Sequence, residues 1–170
     1  MAQGLVHLYW GEGKGKTTAA MGLALRALGA GLRVTVVQFL KDGASAELEP
    51  LRRLGAAVYT GQKGMKFAFQ MTGQEKAEVR AQHTRLLAGA LAQPCDLLVL
   101  DEACAAAELD LIEQGLLQKA VQSRPAGREV VLTGRIPAPW MTEAADYSTE
   151  MRCHRHPYAQ GVPARLGIEF

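Results

Sequence analysis

The chain has 170 residues, of which 48% are hydrophobic and 21% are charged, which predicts one globular domain over residues 1–170 and argues against intrinsic disorder. Nineteen basic and seventeen acidic residues give a net charge of +2, too small an excess to favour nucleic acid or an anionic membrane as a partner. No CxxC pair, no secretory-type leader and no apolar run of about 20 residues is present, so we expect a cytoplasmic protein with reduced thiols.

Short apolar runs alternate with amphipathic segments along the chain, and they predict strands and helices respectively. In chain order the predicted elements are strand Leu5–Tyr9, helix Thr18–Leu28, strand Val34–Phe39, helix Leu48–Leu54, strand Ala56–Tyr59, loop Thr60–Gly73, helix Gln74–Ala92, strand Leu97–Leu100, helix Leu109–Val121, strand Glu129–Thr133, helix Pro139–Ala145 and strand Tyr147–Met151. This alternation is typical of an α/β fold with a mostly parallel sheet and helices on both faces.

A segment rich in glycine and lysine follows the first predicted strand, and it reads Gly11-Glu12-Gly13-Lys14-Gly15-Lys16-Thr17-Thr18. A glycine-rich turn between a strand and a helix exposes backbone N–H groups at the positive end of the helix dipole, which makes an anion site. Lys16 adds a positive charge for phosphates, and Thr17 supplies a hydroxyl at the place where phosphate loops bind Mg²⁺. The segment therefore predicts a phosphate-binding loop.

This loop departs from the general GxxxxGK[ST] pattern. The residue six positions before Lys16 is Trp10 rather than glycine, so the loop begins at Gly11 and is one residue shorter. Two other interpretations stay open: a glycine-rich turn that binds nothing, and a Rossmann dinucleotide loop. The Rossmann interpretation lacks the acidic residue expected at the end of the second strand.

Asp101 and Glu102 directly follow the apolar run Leu97–Leu100. A carboxylate at the carboxyl end of a buried strand beside a phosphate loop can bind or orient Mg²⁺ opposite Thr17. The same pair also fits an acidic cap of a following helix. Together with the phosphate loop, it predicts binding of a nucleoside triphosphate with Mg²⁺ or Mn²⁺, without defining the reaction.

The ordered set of motifs resembles the P-loop corrinoid adenosyltransferases, which use ATP with cob(I)alamin or cob(I)yrinic acid a,c-diamide. Their shortened loop, GxGKGKTT, is similar to residues Gly11–Thr18. The similarity continues in Val36–Phe39 followed by Lys41, Leu98–Glu102, Leu132–Arg135, Ala145-Asp146, Glu150-Met151, His156, Gly161 and Gly167–Glu169. It covers nearly the whole chain and implies a P-loop NTPase fold of the RecA-like type.

The resemblance implies transfer of the 5′-deoxyadenosyl group of ATP to the Co(I) of a corrinoid, with release of triphosphate, in adenosylcobalamin biosynthesis or salvage. It implies catalytic roles for Lys16, Thr17 and Glu102, and a metal held by Thr17, Glu102 and Asp101. It implies ATP binding by Gly11, Glu12, Gly13, Lys14, Gly15, Lys16, Thr17, Thr18 and Arg135. A solvated loop lysine is the alternative for Lys14.

Because the cobalt is itself the nucleophile, the protein needs no nucleophile or general base of its own. We therefore expect the histidines to be core or surface side chains; they are His7, His83, His154 and His156. The resemblance also implies a flavin-type reductase that supplies electrons to cobalt, and a homodimer.

The polar, glycine-broken segment Thr60–Gly73 contains Lys66-Phe67-Ala68-Phe69, where the family has a pattern close to GF-x-W. In the family these rings contact the corrinoid and exclude its lower axial ligand, so the resemblance implies corrinoid binding by Phe67 and Phe69. Phenylalanine fills apolar space as tryptophan does but lacks the indole N–H. Met65 and Met71 flank the pair and are expected on the same surface. Packing of both rings into the core is the alternative.

Three other functions are compatible with a phosphate loop. They are a P-loop kinase or ATPase for another small molecule, a non-catalytic ATP- or corrinoid-binding carrier, and a RecA-like motor on nucleic acid. The intact Lys16, Thr17 and Glu102 argue against a pure carrier, and the small net charge argues against the motor. Product analysis separates the first from an adenosyltransferase, because only the latter releases triphosphate.

Overall fold

A parallel six-stranded sheet forms the centre of the computed structural model, which describes residues 3–61 and 66–169. The strands are β1 (Val6–Trp10), β2 (Val34–Gln38), β3 (Ala57–Thr60), β4 (Leu97–Asp101), β5 (Glu129–Gly134) and β6 (Tyr147–Glu150). The helices are α1 (Lys16–Gly29), α2 (Leu48–Arg53), α3 (Gly73–Leu91), α4 (Ala103–Glu108), α5 (Gln114–Gln122) and α6 (Pro139–Ala144). Two short 3₁₀ turns lie at Ala68–Gln70 and Pro157–Gln160.

The strand order is β3-β2-β4-β5-β1-β6, and all five neighbouring pairs are parallel. The prediction of a mostly parallel α/β sheet is therefore confirmed. Because every strand runs the same way, the loops that follow the strands all emerge at one edge of the sheet. The phosphate loop after β1 and the acidic pair after β4 lie on this edge, with β5 between their strands.

Side chains alternate between the two faces along each strand, so the sheet has two hydrophobic cores. In β4, Leu97 and Val99 pack with residues of α1 and α2, whereas Leu98 and Leu100 pack with residues of α3, α4, α5 and α6. All five residues of β4 are buried, as expected for a central parallel strand covered on both sides. The helices thus cover both faces, and they orient the carboxyl edge of the sheet toward solvent.

The predicted helix Leu109–Val121 is wrong in its first part. The structure has α4 at Ala103–Glu108, a break, and then α5 at Gln114–Gln122. Asp110 adopts a left-handed conformation (φ 52°), which ends the helical path, and the Glu113 carboxylate caps the new helix by accepting the N–H groups of Gly115 and Leu116. The apolar residues in the break, Leu111 and Ile112, are fully buried.

The described residues between β3 and α3, which are 61 and 66–72, form a connection, as predicted, and a 3₁₀ turn lies at Ala68–Gln70. A capping box at Thr72 and Glu75 starts α3, since each side chain accepts the other residue's backbone N–H. Of the two methionines expected near the aromatic pair, Met65 lies outside the described residues and Met71 directly follows the 3₁₀ turn. None of the helices in residues 3–61 and 66–169 has the length and hydropathy needed to span a bilayer.

Candidate active site

The loop between β1 and α1 presents a row of free backbone N–H groups. Gly15 precedes the helix with φ 115°, a left-handed conformation that glycine adopts without steric cost. The N–H groups of residues 14–18 have no hydrogen-bond acceptor within the described part of the chain. Unpaired N–H groups at the start of a helix, on the positive end of its dipole, form an anion site.

The Lys16 ammonium lies within this loop and donates to the carbonyl oxygens of Gly11 and Gly13, both at 2.7 Å. Burial is the main cause that lowers the pKa of Lys16 below its usual value, and the nearby Glu102 carboxylate acts in the opposite direction. A partly desolvated ammonium held only by neutral carbonyls gains energy when an anion reaches it. The lysine is therefore positioned for a phosphate ligand.

Residues that follow β5 and β6 hold the phosphate loop by backbone hydrogen bonds. The Gly13 N–H donates to the Met151 carbonyl at 2.6 Å, and the Gly11 N–H donates to the Arg135 carbonyl at 3.0 Å. A Cβ atom on residue 13 would lie only 2.7 Å from the Met151 carbonyl oxygen, so this close approach requires glycine. These bonds hold two of the loop's N–H groups away from the anion site and leave those of residues 14–18 free.

Asp101 is fully buried at the end of β4, and its carboxylate accepts four hydrogen bonds. The hydroxyls of Thr17 and Thr133 donate to Oδ1 at 2.8 and 2.7 Å. The Gln38 amide and the Lys41 ammonium donate to Oδ2 at 3.1 and 2.8 Å. Since the Thr17 hydroxyl gives its proton to Asp101, its oxygen lone pairs face away from the carboxylate and are available to a cation.

Glu102 differs from Asp101 in its backbone conformation and in the hydrogen bonds of its carboxylate. Its backbone is left-handed (φ 59°, ψ 23°), and its N–H donates to the Thr133 hydroxyl at 2.8 Å. Its carboxylate has no hydrogen-bond donor among residues 3–61 and 66–169. Burial, and then the charge of Asp101, raise the pKa of this carboxyl above its usual value. A half-buried carboxylate on a left-handed backbone, with no donor in the described part of the chain and beside a phosphate loop, is characteristic of a functional group rather than a structural one.

The described residues contain no group of three or more His, Cys, Asp or Glu side chains arranged to hold a metal ion. Mg²⁺ sites in nucleotide-binding proteins commonly use one or two protein oxygens together with substrate phosphates and water. The Glu102 carboxylate has no donor in the described part of the chain, and the Thr17 hydroxyl oxygen accepts only a long bond, 3.4 Å, from the Lys41 ammonium. Asp101 already accepts four donors, so it fits an orienting role on Thr17 better than direct coordination.

A cleft of about 1000 Å³ opens beside the phosphate loop. Its walls come from one face of α1, from the loop that follows β2, from α2, and from residues 167–169. Thr17, Thr18 and Lys41 lie at its polar end, and its apolar wall comprises Met21, Leu25, Leu40, Leu51, Leu54 and Ile168. The arrangement suits a ligand with a charged group and a large apolar or aromatic part.

Phe67 and Phe69 are exposed, with 70% and 83% of their surface accessible. Their rings stack on each other with centroids 5.6 Å apart and an angle of 11° between planes. The alternative that both rings pack into the core is therefore wrong. Two large exposed rings are a patch that a flat apolar ligand can cover.

Comparison with known proteins agrees with this arrangement. Residues 2–170 match the family described as ATP:corrinoid adenosyltransferase BtuR/CobO/CobP. The chain belongs to this family. The corrinoid adenosyltransferase of Pseudomonas aeruginosa is 37% identical over 171 residues, covering 99% of this chain and 84% of the relative. Those of Escherichia coli K12 and Salmonella typhimurium are each 34% identical over 175 residues, covering 99% of this chain and 86% of the relative.

In this ATP:corrinoid adenosyltransferase family member, the residues predicted from sequence fall in three places. Lys16, Thr17, Asp101 and Glu102 meet around one centre. Phe67 and Phe69 lie on the connection after β3. Three others lie at the rim with partners of their own: the Lys14 ammonium donates to the Ile168 carbonyl at 3.1 Å, and the Arg135 guanidinium donates to the Glu12 carboxylate at 3.0 Å.

Three neighbours of Asp101 were not among the predicted site residues: Gln38, Lys41 and Thr133. Gln38 and Lys41 belong to the matched segment of the second strand, and Thr133 to the matched segment after the fifth, so their similarity to the family was the available signal. Sequence spacing did not reveal that these three side chains bind the Asp101 carboxylate, because the contacts form only when β2 and β5 flank β4.

His83 is fully buried and serves the fold, as predicted for the histidines. Its Nδ1–H donates to the Leu111 carbonyl at 2.8 Å, and its Nε2 accepts the Leu40 N–H at 3.2 Å. One nitrogen donates and the other accepts, which requires the neutral imidazole. Burial lowers the pKa of His83, in agreement with that state.

Proposed function

We propose that this chain transfers the 5′-deoxyadenosyl group of ATP to the Co(I) of a corrinoid and releases triphosphate. The cobalt supplies the electron pair of the new Co–C5′ bond and is oxidised from Co(I) to Co(III). The C5′–O bond breaks, and triphosphate leaves with its electrons. The observation that carries the proposal is the row of free N–H groups around Lys16, next to Asp101 and Glu102, in a member of this family.

The chain's contribution is to stabilise the leaving group. Triphosphate carries several negative charges, which increase on the bridging oxygen as the C5′–O bond breaks. The N–H groups of residues 14–18 and the Lys16 ammonium are already oriented toward an anion, so they stabilise this charge without rearrangement. No protein nucleophile is required, since the cobalt performs the substitution.

We propose Thr17 and Glu102 as the protein ligands of Mg²⁺ or Mn²⁺, with Asp101 orienting the Thr17 hydroxyl. The divalent ion, when bound, neutralises phosphate charge and helps to orient the nucleotide. Asp101 keeps the Thr17 proton turned inward, so that the hydroxyl oxygen presents lone pairs. The unpaired Glu102 carboxylate supplies the negative charge on the other side.

We propose that Phe67 and Phe69 contact the corrinoid. Two exposed apolar rings cover one face of a flat macrocycle and exclude its lower axial ligand, which makes four-coordinate Co(II) easier to reduce. Support for the assignment comes from their exposure and from the family pattern at this position. Glu12, Lys14 and Arg135, at the rim, are proposed as further ATP contacts that exchange their present partners for the nucleotide.

Further proposals rest on the family resemblance. They are a flavin-type reductase as electron donor, a homodimer, a cytoplasmic location and a single domain over residues 1–170. The continuous sheet of the described residues supports the single domain. Light scattering coupled to size-exclusion chromatography tests the homodimer, and reduction of Co(II) corrinoid with and without an added flavoprotein reductase tests the electron donor.

The decisive experiment combines the protein with ATP, Mg²⁺ and a chemically reduced corrinoid. We expect the absorbance change of cobalt alkylation, its reversal by light, and one triphosphate per corrinoid alkylated. Lys16→Ala should abolish the reaction, whereas Lys119→Met, which changes an exposed lysine on α5, should not. Failure to alkylate both cobalamin and cobyrinic acid diamide refutes the proposal, and release of ADP indicates a kinase or ATPase instead.

The Phe69→Ala variant tests the aromatic pair separately. We expect it to bind ATP normally and to impair alkylation from Co(II) with a reductase more than alkylation from preformed Co(I). The reason is that only the Co(II) route needs displacement of the axial ligand before reduction. Equal losses in the two assays would contradict this role while leaving the overall reaction in place.

A further inference from the structure

Lys41 lies at the carboxyl end of β2, two residues after Phe39, and it points at the centre of the candidate active site. Its ammonium donates to Asp101 Oδ2 at 2.8 Å and to Thr17 Oγ1 at 3.4 Å. The side chain is 28% exposed, and the residue lines the cleft beside Thr17 and Thr18. A mobile positive charge thus lies where the cleft meets the phosphate loop.

The backbone just before Lys41 is fixed by a hydrogen bond to a buried histidine of α3. Leu40 has a left-handed conformation (φ 54°), which turns the chain sharply after β2. Its N–H donates to His83 Nε2 at 3.2 Å, and His83 is anchored on the Leu111 carbonyl by its other nitrogen. A strained residue fixed by a buried side chain from α3 indicates that the direction of the next side chain matters.

The position of the ammonium conflicts with a cation at Thr17. The ammonium bonds to the same hydroxyl oxygen whose lone pairs a divalent cation needs. Two positive charges at contact distance repel each other, and the repulsion is strong where solvent is scarce. A cation that binds at Thr17 therefore displaces the ammonium, and the phosphates that accompany the cation bring negative charge to the end of the cleft that Lys41 lines.

Asp101 tolerates the departure of Lys41. Thr17 and Thr133 still donate to Oδ1, and Gln38 still donates to Oδ2. Each carboxylate oxygen keeps a donor, so no buried lone-pair site is left empty by the movement. The ion pair between Lys41 and Asp101 can therefore break while the hydrogen bonds from Thr17 and Thr133 to Asp101 remain.

We propose that Lys41 is a second triphosphate-binding lysine, and that its ammonium moves from Asp101 to phosphate oxygens when a metal–triphosphate ligand binds. Lys16 contacts the anion from the β1–α1 loop, and Lys41 contacts it from the β2–α2 loop. The proposal deepens the proposed function and rests on it for the identity of the leaving group. Binding of triphosphate, however, can be measured without any corrinoid.

The test uses inorganic tripolyphosphate with Mg²⁺ as the probe, measured by isothermal titration calorimetry. Loss of one charged hydrogen bond predicts that Lys41→Met weakens binding about 10- to 100-fold. The matched control Lys119→Met should bind within about twofold of the unchanged protein, because it removes the same charge from an exposed helix position. Lys41→Arg keeps the charge, so it should bind tripolyphosphate more tightly than Lys41→Met. We expect it to recover at least a third of the change in log Kd that Lys41→Met causes.

Unchanged tripolyphosphate binding by Lys41→Met overturns the proposal, and so does an equal loss in Lys119→Met. If Lys41→Met does not fold, the Lys41→Arg variant is the test. A loss of tripolyphosphate affinity in Lys41→Arg as large as that in Lys16→Ala shows that the positive charge at position 41 does not bind the ligand, and it overturns the proposal. The two proposals fail separately. An alkylating protein whose Lys41→Met variant binds normally disproves only the role of Lys41, and a protein that binds tripolyphosphate through Lys41 but never alkylates cobalt disproves only the reaction.

Discussion

Glu102 should destabilise the ligand-free protein, and its replacement tests the electrostatics of the site. In the folded chain its carboxylate is half-buried, lies near Asp101 and has no hydrogen-bond donor among the described residues; the partial burial and the charge of Asp101 raise its pKa. The charges of Lys41, Lys16 and Arg135 act in the opposite direction without cancelling them. Glu102→Gln removes the charge, keeps the size, and keeps the left-handed backbone (φ 59°), so the strain of that backbone is common to both proteins.

We expect Glu102→Gln to raise the free energy of unfolding at neutral pH by about 1 kcal/mol, the usual scale when a destabilised functional group is relieved. For a chain of this length that corresponds to a Tm increase of roughly 2–4 °C. The same substitution should reduce adenosyl transfer strongly, because a neutral amide is a poor ligand for Mg²⁺. Stability and activity are therefore expected to change in opposite directions.

The pH dependence has a definite sign. The carboxyl titrates near 4.5 in the unfolded chain and at a higher pH in the folded one. Between those values the folded state binds more protons, so the unfolding free energy of the natural protein falls as pH rises through this interval. The variant has no such group. The stability advantage of the variant should therefore be larger at pH 8 than at pH 4.

Urea unfolding followed by circular dichroism, at pH 4 and pH 8 in EDTA, measures both quantities. Addition of Mg²⁺ and ATP at pH 8 should then reverse the order, because ligand binding stabilises the natural protein more than the variant. The reasoning is refuted if Glu102→Gln is less stable than the natural protein at pH 8 in EDTA. It is also refuted if the difference between the two proteins is the same at both pH values.

Three further predictions concern the surroundings of the site. Gly13→Ala should lower the free energy of unfolding by about 1–3 kcal/mol in urea titrations, since its Cβ would lie 2.7 Å from the Met151 carbonyl oxygen and 2.8 Å from that of Arg152. His83→Phe should remove part of the acid sensitivity of folding: with a folded pKa below 6.5, the neutral imidazole stabilises the protein above pH 6.5, and that stability is lost as pH falls below it. Iodoacetamide at pH 8 should label exposed Cys153 and spare Cys104, because burial raises the pKa of that thiol to about 12.

Each of these has an internal control. Gly22→Ala, in α1 with open space around the added methyl, should be neutral or stabilising by up to about 1 kcal/mol, and a loss like that of Gly13→Ala would contradict the steric argument. The slope of unfolding free energy between pH 7 and pH 5.5 should differ between His83→Phe and the natural protein; identical slopes would show that His83 is not the titrating group. Labelling of Cys104 in urea confirms that burial protects it, and labelling in the native protein would disprove it.

Local features of the fold could be predicted from the sequence because neighbouring residues determine them. The phosphate loop is a contiguous segment, and its glycines, its lysine and the following helix are sufficient to specify an anion site. All six strands were predicted, with ends that differ from those of the structure by at most one residue. The acidic pair at the end of β4 was predicted to lie opposite Thr17, and the Thr17 hydroxyl donates to Asp101, since parallel strands bring their carboxyl ends to one edge.

The predicted helix Leu109–Val121 failed for a tertiary reason. The apolar pattern of residues 109–121 indicated a single helix, but Leu111 and Ile112 are buried in the break between α4 and α5. Hydrophobic periodicity does not separate a buried turn from a buried helix face. The helix α4, rich in alanine, has strong intrinsic propensity and little amphipathic pattern, so propensity was the signal that could have revealed it.

The sequence by itself determined the class of the fold, the anion site and the residue types available for catalysis, because these depend on contacts within a few residues. Only the tertiary structure decided how Asp101 is used. Its partners Thr133 and Thr17 lie 32 and 84 positions away along the chain, and they meet it because β5 neighbours β4 and the phosphate loop opens at the same edge. The Asp101 carboxylate accepts four hydrogen bonds, the Glu102 carboxylate has no donor among residues 3–61 and 66–169, and the Lys41 ammonium lies beside Thr17. These differences arise from strand order, which residue spacing does not encode.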